Sequence, residues 1–223
     1  MRLSIVIPVL DEAAGIETNL AALAPLREGG AEVIVVDGGS ADGTAEKARP
    51  LADRVLAVPR GRASQMNAGA AVAQGDVLLF LHADTRLPRD ADEQVFAVLA
   101  GGAPWGRFNV RIEGTHPMLA VVAWFMNRRS RLTGVATGDQ AIFVARAAFA
   151  RVGGFAVQPL MEDVELSRRL KRIGRPACLR ARVCTSGRRW EQRGVWRTII
   201  LMWRLRWRYW RGESARRLAE AYR

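Results

Sequence analysis

Residues 31–44 read AEVIVVDGGSADGT, an apolar run followed by a turn that contains two aspartates and three glycines. The run is continuous and does not alternate with polar residues, which is typical of a strand buried on both faces of a parallel sheet. A turn by itself does not call for an aspartate at the end of such a strand. Asp37 therefore indicates a polar ligand above this edge of the sheet, and Gly38 and Gly39 would let the backbone come close to it.

Three more continuous apolar runs lie in the N-terminal half, at residues 3–9, 54–58 and 76–82. Helix-like stretches separate the runs, at residues 12–28, 42–50 and 63–74. This alternation predicts an α/β fold with a mostly parallel central sheet flanked by helices and joined by right-handed crossovers. Ligands of such folds bind at the carboxyl ends of the strands. The acidic residues Glu12, Asp37 and Asp84 all follow predicted strands.

The second half is predicted to contain strands at 105–112 and 140–144 and helices at 117–132, 160–174 and 195–211. We expect one domain at residues 1–190, with a nucleotide-binding half at 1–100 and an acceptor half at 101–190. A basic amphipathic helical extension is expected to follow at residues 191–223.

The formal net charge of +12 is concentrated near the C-terminal end of the sequence. Residues 1–174 contain 20 Lys and Arg against 19 Asp and Glu, whereas residues 175–223 contain 14 Arg against 3 Glu. We therefore expect one segment to meet an anionic partner, and we expect no nucleic acid partner. A hydrophobic fraction of 49% with 25% charged residues argues against a disordered chain.

Cysteine usage and hydropathy indicate a cytoplasmic location. Cys178 and Cys184 lack the spacing of a zinc site, and we expect buried, reduced thiols. No stretch reaches the length of about 18 uncharged apolar residues that is typical of a membrane-spanning helix. The sequence also contains neither GxxxxGK[ST] nor GxGxxG after the first strand, which argues against a P-loop NTPase and a nicotinamide enzyme.

The ordered motifs resemble those of family 2 glycosyltransferases, which have the GT-A fold. The motifs are SIVIPVLDE (4–12), VIVVDGGSADGT (33–44), GRASQMNAGA (61–70), GDVLLFLHADT (75–85), GGF (153–155) and MEDVEL (161–166). The motifs LHADT (81–85), RASQMN (62–67), GDQAIFV (138–144) and RRWEQRGVWRT (188–198) resemble a small bacterial subgroup, the radical-SAM-associated transferases. The resemblance implies transfer of a sugar from a nucleotide-diphosphate sugar of the UDP or GDP type to a hydroxyl acceptor, with inversion.

The resemblance also implies roles for individual residues on the donor side. The residues expected to contact the donor nucleotide are Pro8, Glu12, Asp37, Gly39, Arg62, Asn67 and Ala83. The DxD motif of the family falls at His82-Ala83-Asp84, where histidine replaces the first aspartate. Asp84 is therefore the expected ligand of a divalent cation, Mn²⁺ or Mg²⁺, and His82 is a second candidate ligand.

On the acceptor side, the Glu-Asp pair of the family matches Glu162 and Asp163. Asp163 is expected to be the base that deprotonates the acceptor hydroxyl, because displacement at the anomeric carbon needs a carboxylate on that side. The residues expected to line the acceptor side are Trp105, Gly138, Asp139, Gln140 and Gly154.

Two other readings remain open at this stage. A nucleotidyltransferase of the same fold would also bind metal at a residue such as Asp84, but it would not need Asp163 beyond the metal. A non-catalytic module that binds RNA or membrane, with a degenerate pocket, is favoured by His82 and by the basic tail. The presence of Glu12, Asp37, Asp84 and Asp163 together argues against it.

The tail, VWRTIILMWRLRWRYWR (195–211), is predicted to form an interfacial helix. On a helix one stripe is formed by Trp196, Trp203, Trp207 and Trp210, and an adjacent ribbon is formed by Arg197, Arg204, Arg208 and Arg211. Tryptophan beside arginine is typical of a helix in a membrane interface. We therefore expect peripheral binding to an anionic surface on the inner face of the cell membrane, next to a lipid-linked or hydrophobic acceptor.

Overall fold

The computed structural model describes residues 1–222. Arg223, the last residue of the predicted extension, lies outside the described residues. The strands are β1 Leu3–Val9, β2 Glu32–Asp37, β3 Arg54–Ala57, β4 Val77–Phe80, β5 Thr85–Arg86, β6 Trp105–Glu113, β7 Ile142–Ala145 and β8 Ala177–Ser186. The helices are α1 Ile16–Ala21, α2 Ala24–Glu28, α3 Thr44–Ala48, α4 Arg62–Val72, α5 Ala91–Ala100, α6 Met118–Thr133, α7 Arg146–Arg151, α8 Glu162–Leu170, α9 Arg188–Arg193, α10 Val195–Trp210 and α11 Ala215–Tyr222.

The strands form one mixed sheet of eight strands in the order β3-β2-β1-β4-β7-β6-β8-β5. Strands β1 to β4 pair in parallel, whereas β7 pairs antiparallel with both β4 and β6. The predicted α/β fold with helices on its flanks is confirmed. The sheet contains strands from both halves of the chain. Loops from both halves therefore meet at the same edge of the sheet.

The apolar runs form strands because both faces of the sheet are covered. In β1, Ile5 and Ile7 belong to one hydrophobic cluster and Val6 belongs to the other. Val33 and Val35 of β2 alternate with Ile34 and Val36 in the same way. Successive side chains of a strand point to opposite faces, so a strand covered on both sides needs an uninterrupted apolar run.

The predicted helix at 12–28 is divided into α1 and α2. Pro25 lies in the first turn of α2, where its missing N–H would have no helical partner in any case. In the interior of a longer helix the same ring would clash with the preceding turn. The division therefore follows from Pro25.

Three helices at the end of the described chain, α9, α10 and α11, form an arm that packs against α8. A small hydrophobic cluster joins α10 and α11 to the start of α8, and its buried members are Leu205, Leu218 and Met161, while Trp190 of α9 packs against the main core. Met161 directly precedes the Glu162-Asp163 pair, so the arm lies beside the predicted base. None of the helices within residues 1–222 combines the length and apolar character that a membrane crossing requires. Cys178 and Cys184 are free thiols and half-buried.

Candidate active site

A cavity of about 990 Å³ lies between the carboxyl ends of the central strands and the arm. Loops after β1 and β4 provide Glu12, His82 and Asp84, while the start of α8 provides Glu162 and Asp163. The opposite wall is formed by residues of α9, α10 and α11. The arm is therefore part of the site rather than an appendage to it.

One end of the cavity combines two carboxylates with arginines from the arm. Burial raises the pKa of Glu12, and the negative charge of Asp84 raises it further. Arg188 Nη2 lies 3.7 Å from Glu12 Oε2. Burial lowers the pKa of Arg189. The hydrogen bond to Tyr222 and the negative charges of Asp84 and Glu12 have a larger, opposite effect, so the pKa of Arg189 is raised. This end can hold a cation on its carboxylates and an anion on its arginines.

The other end contains the carboxylates of Glu162 and Asp163 at the start of α8. The backbone N–H of Gly138 donates to Asp163 Oδ2 at 2.9 Å, and that of Val164 donates to Oδ1 at 2.7 Å, which fixes the orientation of the carboxylate. Burial raises the pKa of Asp163 despite these bonds. Burial and the charge of Asp163 likewise raise the pKa of Glu162, whose Oε1 lies 3.7 Å from Arg62 Nη1.

Backbone strain is concentrated around this site. Three non-glycine residues of the described chain have positive φ, namely Asp11 at 52°, Ala141 at 46° and Met161 at 64°. Asp11 precedes Glu12, Ala141 follows the Gly138–Gln140 turn, and Met161 precedes Glu162. Left-handed backbone at non-glycine residues costs on the order of 1–3 kcal/mol and persists where the surrounding structure holds it. Here it directs the acidic residues toward the cavity.

His82 and Asp139 form a pair across the floor of the cavity. His82 Nδ1 lies 3.1 Å from Asp139 Oδ1. Burial would raise the pKa of Asp139, but the hydrogen bond and charge of His82 outweigh it, so the pKa is lowered. A Cβ atom on Gly138 would lie 2.3 Å from His82 Nε2, so only glycine allows this approach. The imidazole at the first DxD position thus has a protein partner of its own.

Most residues predicted from the sequence line this one cavity. They are Pro8, Glu12, Arg62, His82, Ala83, Asp84, Gly138, Asp139, Glu162 and Asp163. They come from segments up to 155 residues apart, from Pro8 to Asp163. Their roles in donor binding, metal binding and catalysis remain predictions.

Asp37 and Gly39 do not line the cavity, and the structure gives Asp37 another role. Asp37 is 4% exposed, and its carboxylate accepts hydrogen bonds from the N–H groups of Gly39 and Ser40 and from the Ser40 hydroxyl. Gly39 has φ of 91°, which the turn requires. Contrary to the sequence argument, this turn does use the aspartate. Contact of either residue with a nucleotide remains a prediction.

Asn67 and Gly154 do not line the cavity, and Asn67 bonds to Phe155, the residue that follows Gly154. The side-chain amide of Asn67 donates to Phe155 O at 2.8 Å, and its Oδ1 accepts from Phe155 N at 2.8 Å. A Cβ atom on Gly154 would lie 2.8 Å from Asn67 Oδ1. Asn67 therefore fastens the GGF loop to α4. Contact of Asn67 with a nucleotide and of Gly154 with an acceptor remain predictions.

Trp105 and Gln140, both predicted on the acceptor side, are structural residues. Trp105 is fully buried, and its indole N–H donates to Gly174 O at 2.9 Å, so no face of the ring is open to a ligand. Gln140 is also fully buried, and its amide donates to Ser130 Oγ at 3.0 Å. Both expectations of acceptor contact are corrected, because burial removes these side chains from the cavity.

Sequence reasoning missed the cavity-facing arginines of the arm. Arg189, Arg193, Arg197, Arg204 and Arg206 all line the cavity. The excess of arginine in residues 175–223 was the available signal, but it did not indicate which arginines turn inward. Arg208, predicted in the same ribbon as Arg197 and Arg204, forms a salt bridge of 2.5 Å with Glu213.

Arg129 of α6 was also missed. Its Nε and Nη2 atoms are buried without a hydrogen-bond partner among the described residues. Burial lowers the pKa of Arg129, and the charges of Asp163 and Asp139 act in the opposite direction. A positive charge thus stands behind the acidic end of the cavity.

The sequence model described as Glycosyl transferase family 2 matches residues 4–153. The match contains the strand-end residues Glu12, Asp84 and Asp139, and it ends before Glu162 and the arm. No curated protein matches the chain in sequence.

Solved structures with the same fold include several nucleotide-sugar complexes. TarS from S. aureus in complex with UDP-GlcNAc is 18% identical with a TM-score of 0.67, over 83% of this chain and 58% of that chain. The mannosyltransferase PcManGT from Pyrobaculum calidifontis, in complex with GDP-Man and Mn²⁺, is 21% identical with a TM-score of 0.68, over 99% and 68%. Glucosyl-3-phosphoglycerate synthase from Mycobacterium tuberculosis, with Mn²⁺ and UDP-Glc, is 21% identical with a TM-score of 0.61, over 82% and 69%. The chain thus spans less than two thirds of the length of TarS.

Proposed function

The chain belongs to glycosyl transferase family 2, and from that premise we propose that it transfers a sugar, with inversion, from a UDP- or GDP-linked donor to a hydroxyl acceptor. The observation that carries the proposal is that Asp84 and Asp163 line the same cavity. The nucleotide-sugar complexes of the structurally similar enzymes support the choice of donor.

In the proposed reaction Asp163 accepts the proton of the acceptor hydroxyl. The acceptor oxygen then attacks the anomeric carbon, and the bond from that carbon to the diphosphate oxygen breaks, releasing the nucleoside diphosphate. The two N–H groups that bond to Asp163 fix its carboxylate for this transfer, and its raised pKa brings it closer to the pH at which a base works best. Attack from the side opposite the leaving group accounts for inversion.

Asp84 is the residue that would hold Mn²⁺ or Mg²⁺. Its Oδ1 lies 3.4 Å and 3.5 Å from the hydroxyls of Thr85 and Thr185, while Oδ2 has no partner within residues 1–222. The described residues contain no group of three or more His, Cys, Asp and Glu suited to a metal ion. One carboxylate fits a cation that arrives with the donor, because Mg²⁺ is commonly held by one or two carboxylates together with substrate phosphates and water. The bound cation would supply charge neutralisation to the leaving diphosphate.

We further propose that the arm holds the protein at an anionic membrane surface on the cytoplasmic side. Trp196, Trp203, Trp207 and Trp210 are each between 57% and 69% exposed. Indole rings are favoured at headgroup depth in a bilayer. Since the same arm forms a wall of the cavity, the acceptor would reach the site from the membrane.

The test measures donor hydrolysis and transfer with a panel of UDP- and GDP-sugars and Mn²⁺. Asp163→Asn should lose a factor of about 10² to 10⁴ in the chemical step and keep donor binding. Asp84→Ala should lose both turnover and the enhancement of nucleotide binding by Mn²⁺. Near-normal transfer by Asp163→Asn would mean that another group is the base. Absence of any nucleotide binding by the wild type would favour a non-catalytic module.

A further inference from the structure

The cavity is divided into an acidic side and a basic side. Its acidic lining residues all belong to the domain, namely Glu12, Asp84, Asp139, Glu162 and Asp163. The lining residues of α9, α10 and the described part of α11 include five arginines and a tyrosine but no aspartate or glutamate. The arm therefore presents positive charge to whatever fills the space beside the catalytic pair.

Among the five arginines of this wall, Arg197 and Arg204 have no partner within residues 1–222. Arg193 of the same wall stacks over the Tyr222 ring, with 5.4 Å between its guanidinium carbon and the ring centroid, and Arg62 of α4 lies near Glu162. Arg197 and Arg204, in contrast, take part in no salt bridge, hydrogen bond or ring contact with any residue that the structure describes. A guanidinium lining a cavity in this condition is available to an anionic group of the substrate.

Arg197 and Arg204 lie on one face of α10. They are seven residues apart with Leu201 between them, and all three line the cavity. A rise of about 1.5 Å per residue places their backbones about 10 Å apart. At this separation the two long side chains can both contact one group that lies between them. A phosphate offers three strong acceptor oxygens to such a pair, whereas a carboxylate offers two.

The same helix connects this basic face to an exposed apolar surface. Ile200 lines the cavity and is 58% exposed. It lies between Trp196 and Trp203, which are 59% and 69% exposed on the outer stripe of α10. An apolar chain that leaves the cavity over Ile200 would therefore meet indole rings.

We propose that Arg197 and Arg204 form a phosphate-binding subsite, and that the acceptor is a phosphate-bearing amphiphile. Its hydroxyl lies at Asp163, its phosphate contacts the two arginines, and its apolar chain leaves the cavity over Ile200. The inference rests on the proposed function for the position of the hydroxyl. It goes further, because it states that the acceptor has a negative charge and an apolar chain, and because it names Arg197 and Arg204 as the residues that recognise it.

Calorimetry with monododecyl phosphate below its micelle concentration tests the subsite. We expect saturable binding to the wild type, weaker binding of inorganic phosphate, and no binding of dodecyl maltoside at the same concentrations. Arg197→Gln/Arg204→Gln should weaken the binding of dodecyl phosphate by about tenfold or more. The matched control is Arg216→Gln/Arg217→Gln, because it removes the same charge from exposed positions of α11 outside the cavity.

Equal losses in the two double variants would overturn the proposal, since the effect would then follow net charge alone. If inorganic phosphate binds as tightly as dodecyl phosphate, the acceptor needs no apolar chain and that part of the proposal is wrong. If dodecanoate binds as tightly as dodecyl phosphate, the site does not select a phosphate group and that part of the proposal is wrong. Nucleoside diphosphate binding with Mn²⁺ is measured on the same samples. If the wild type does not bind the nucleoside diphosphate, the proposed function is contradicted. If it binds the nucleoside diphosphate but not dodecyl phosphate, only the phosphate subsite is contradicted.

Discussion

Glu162 is one of the carboxyls of this site whose ionisation acts against folding. It is 5% exposed, and burial together with the charge of Asp163 raises its pKa. A carboxyl whose pKa is higher in the folded chain than in the unfolded chain binds its proton more tightly when folded. Its contribution to the free energy of unfolding is therefore present at low pH and lost as the pH rises through the raised pKa.

Glu162→Gln should accordingly stabilise the protein more at pH 7 than at pH 4. Each unit of pKa elevation corresponds to about 1.4 kcal/mol, and each kcal/mol shifts the Tm of a chain of this size by about 2–4 °C. Thermal unfolding of the wild type and the variant across this pH range measures the effect. Glu46→Gln, an exposed position on α3, is the matched control. A Tm difference that does not grow with pH would contradict the prediction.

His82 is the residue that departs from the metal-binding motif of the family. Its imidazole lies in the cavity and bonds to Asp139, so its Nδ1 is already engaged. Hard cations such as Mn²⁺ prefer carboxylate oxygen to such a nitrogen.

His82→Asp should therefore tighten Mn²⁺ binding in the presence of UDP or GDP, by about tenfold. Titration calorimetry measures the change, and His116→Asp, a histidine outside the cavity, serves as the control. Unchanged or weaker Mn²⁺ binding would show that Asp84 does not share its cation with position 82.

At the scale of elements, the arm is anchored at two places, in the main core around Val195 and in the small cluster around Leu205. Leu205 is 1% exposed and packs with Leu218 and Met161. Removing a buried leucine side chain costs about 2–5 kcal/mol, which is large for the small cluster that anchors the later part of α10. Because Met161 leads into α8, this cluster also connects the arm to the proposed base, Asp163.

Leu205→Ala should loosen the arm before it affects the sheet. We expect faster amide hydrogen exchange across residues 201–222 and lower turnover, with β1 to β4 unchanged. Exchange mass spectrometry checks this against Val157→Ala, a substitution at an exposed site. Equal acceleration throughout the chain would instead indicate that arm and sheet unfold together.

The outer stripe of α10 carries the membrane prediction. Trp203 and Trp207 are 69% and 57% exposed, so replacing them leaves the core intact. Burying roughly 100 Å² per indole at about 25 cal/mol per Å² would contribute several kcal/mol to binding.

Trp203→Ala/Trp207→Ala should lower co-sedimentation with anionic vesicles by more than about tenfold. Binding by the wild type should weaken with salt and should be poorer with neutral vesicles. Leu132→Ala, at an exposed position on α6, should bind as the wild type does. If the wild type stays in the supernatant at low salt, α10 has only its role in the cavity wall.

At the scale of the whole molecule, the sequence by itself determined the α/β order, the strand-end positions of Glu12 and Asp84, and the Glu162-Asp163 pair at a helix start. These features are local: continuous apolar runs record burial on both faces, and strand ends in a parallel sheet meet at one edge. Only the tertiary structure decided that Trp105 and Gln140 are buried and that Asn67 holds Phe155, 88 residues away. It also decided which face of α10 turns toward the cavity, since the periodicity of a helix defines its stripes but not the neighbours that each stripe meets.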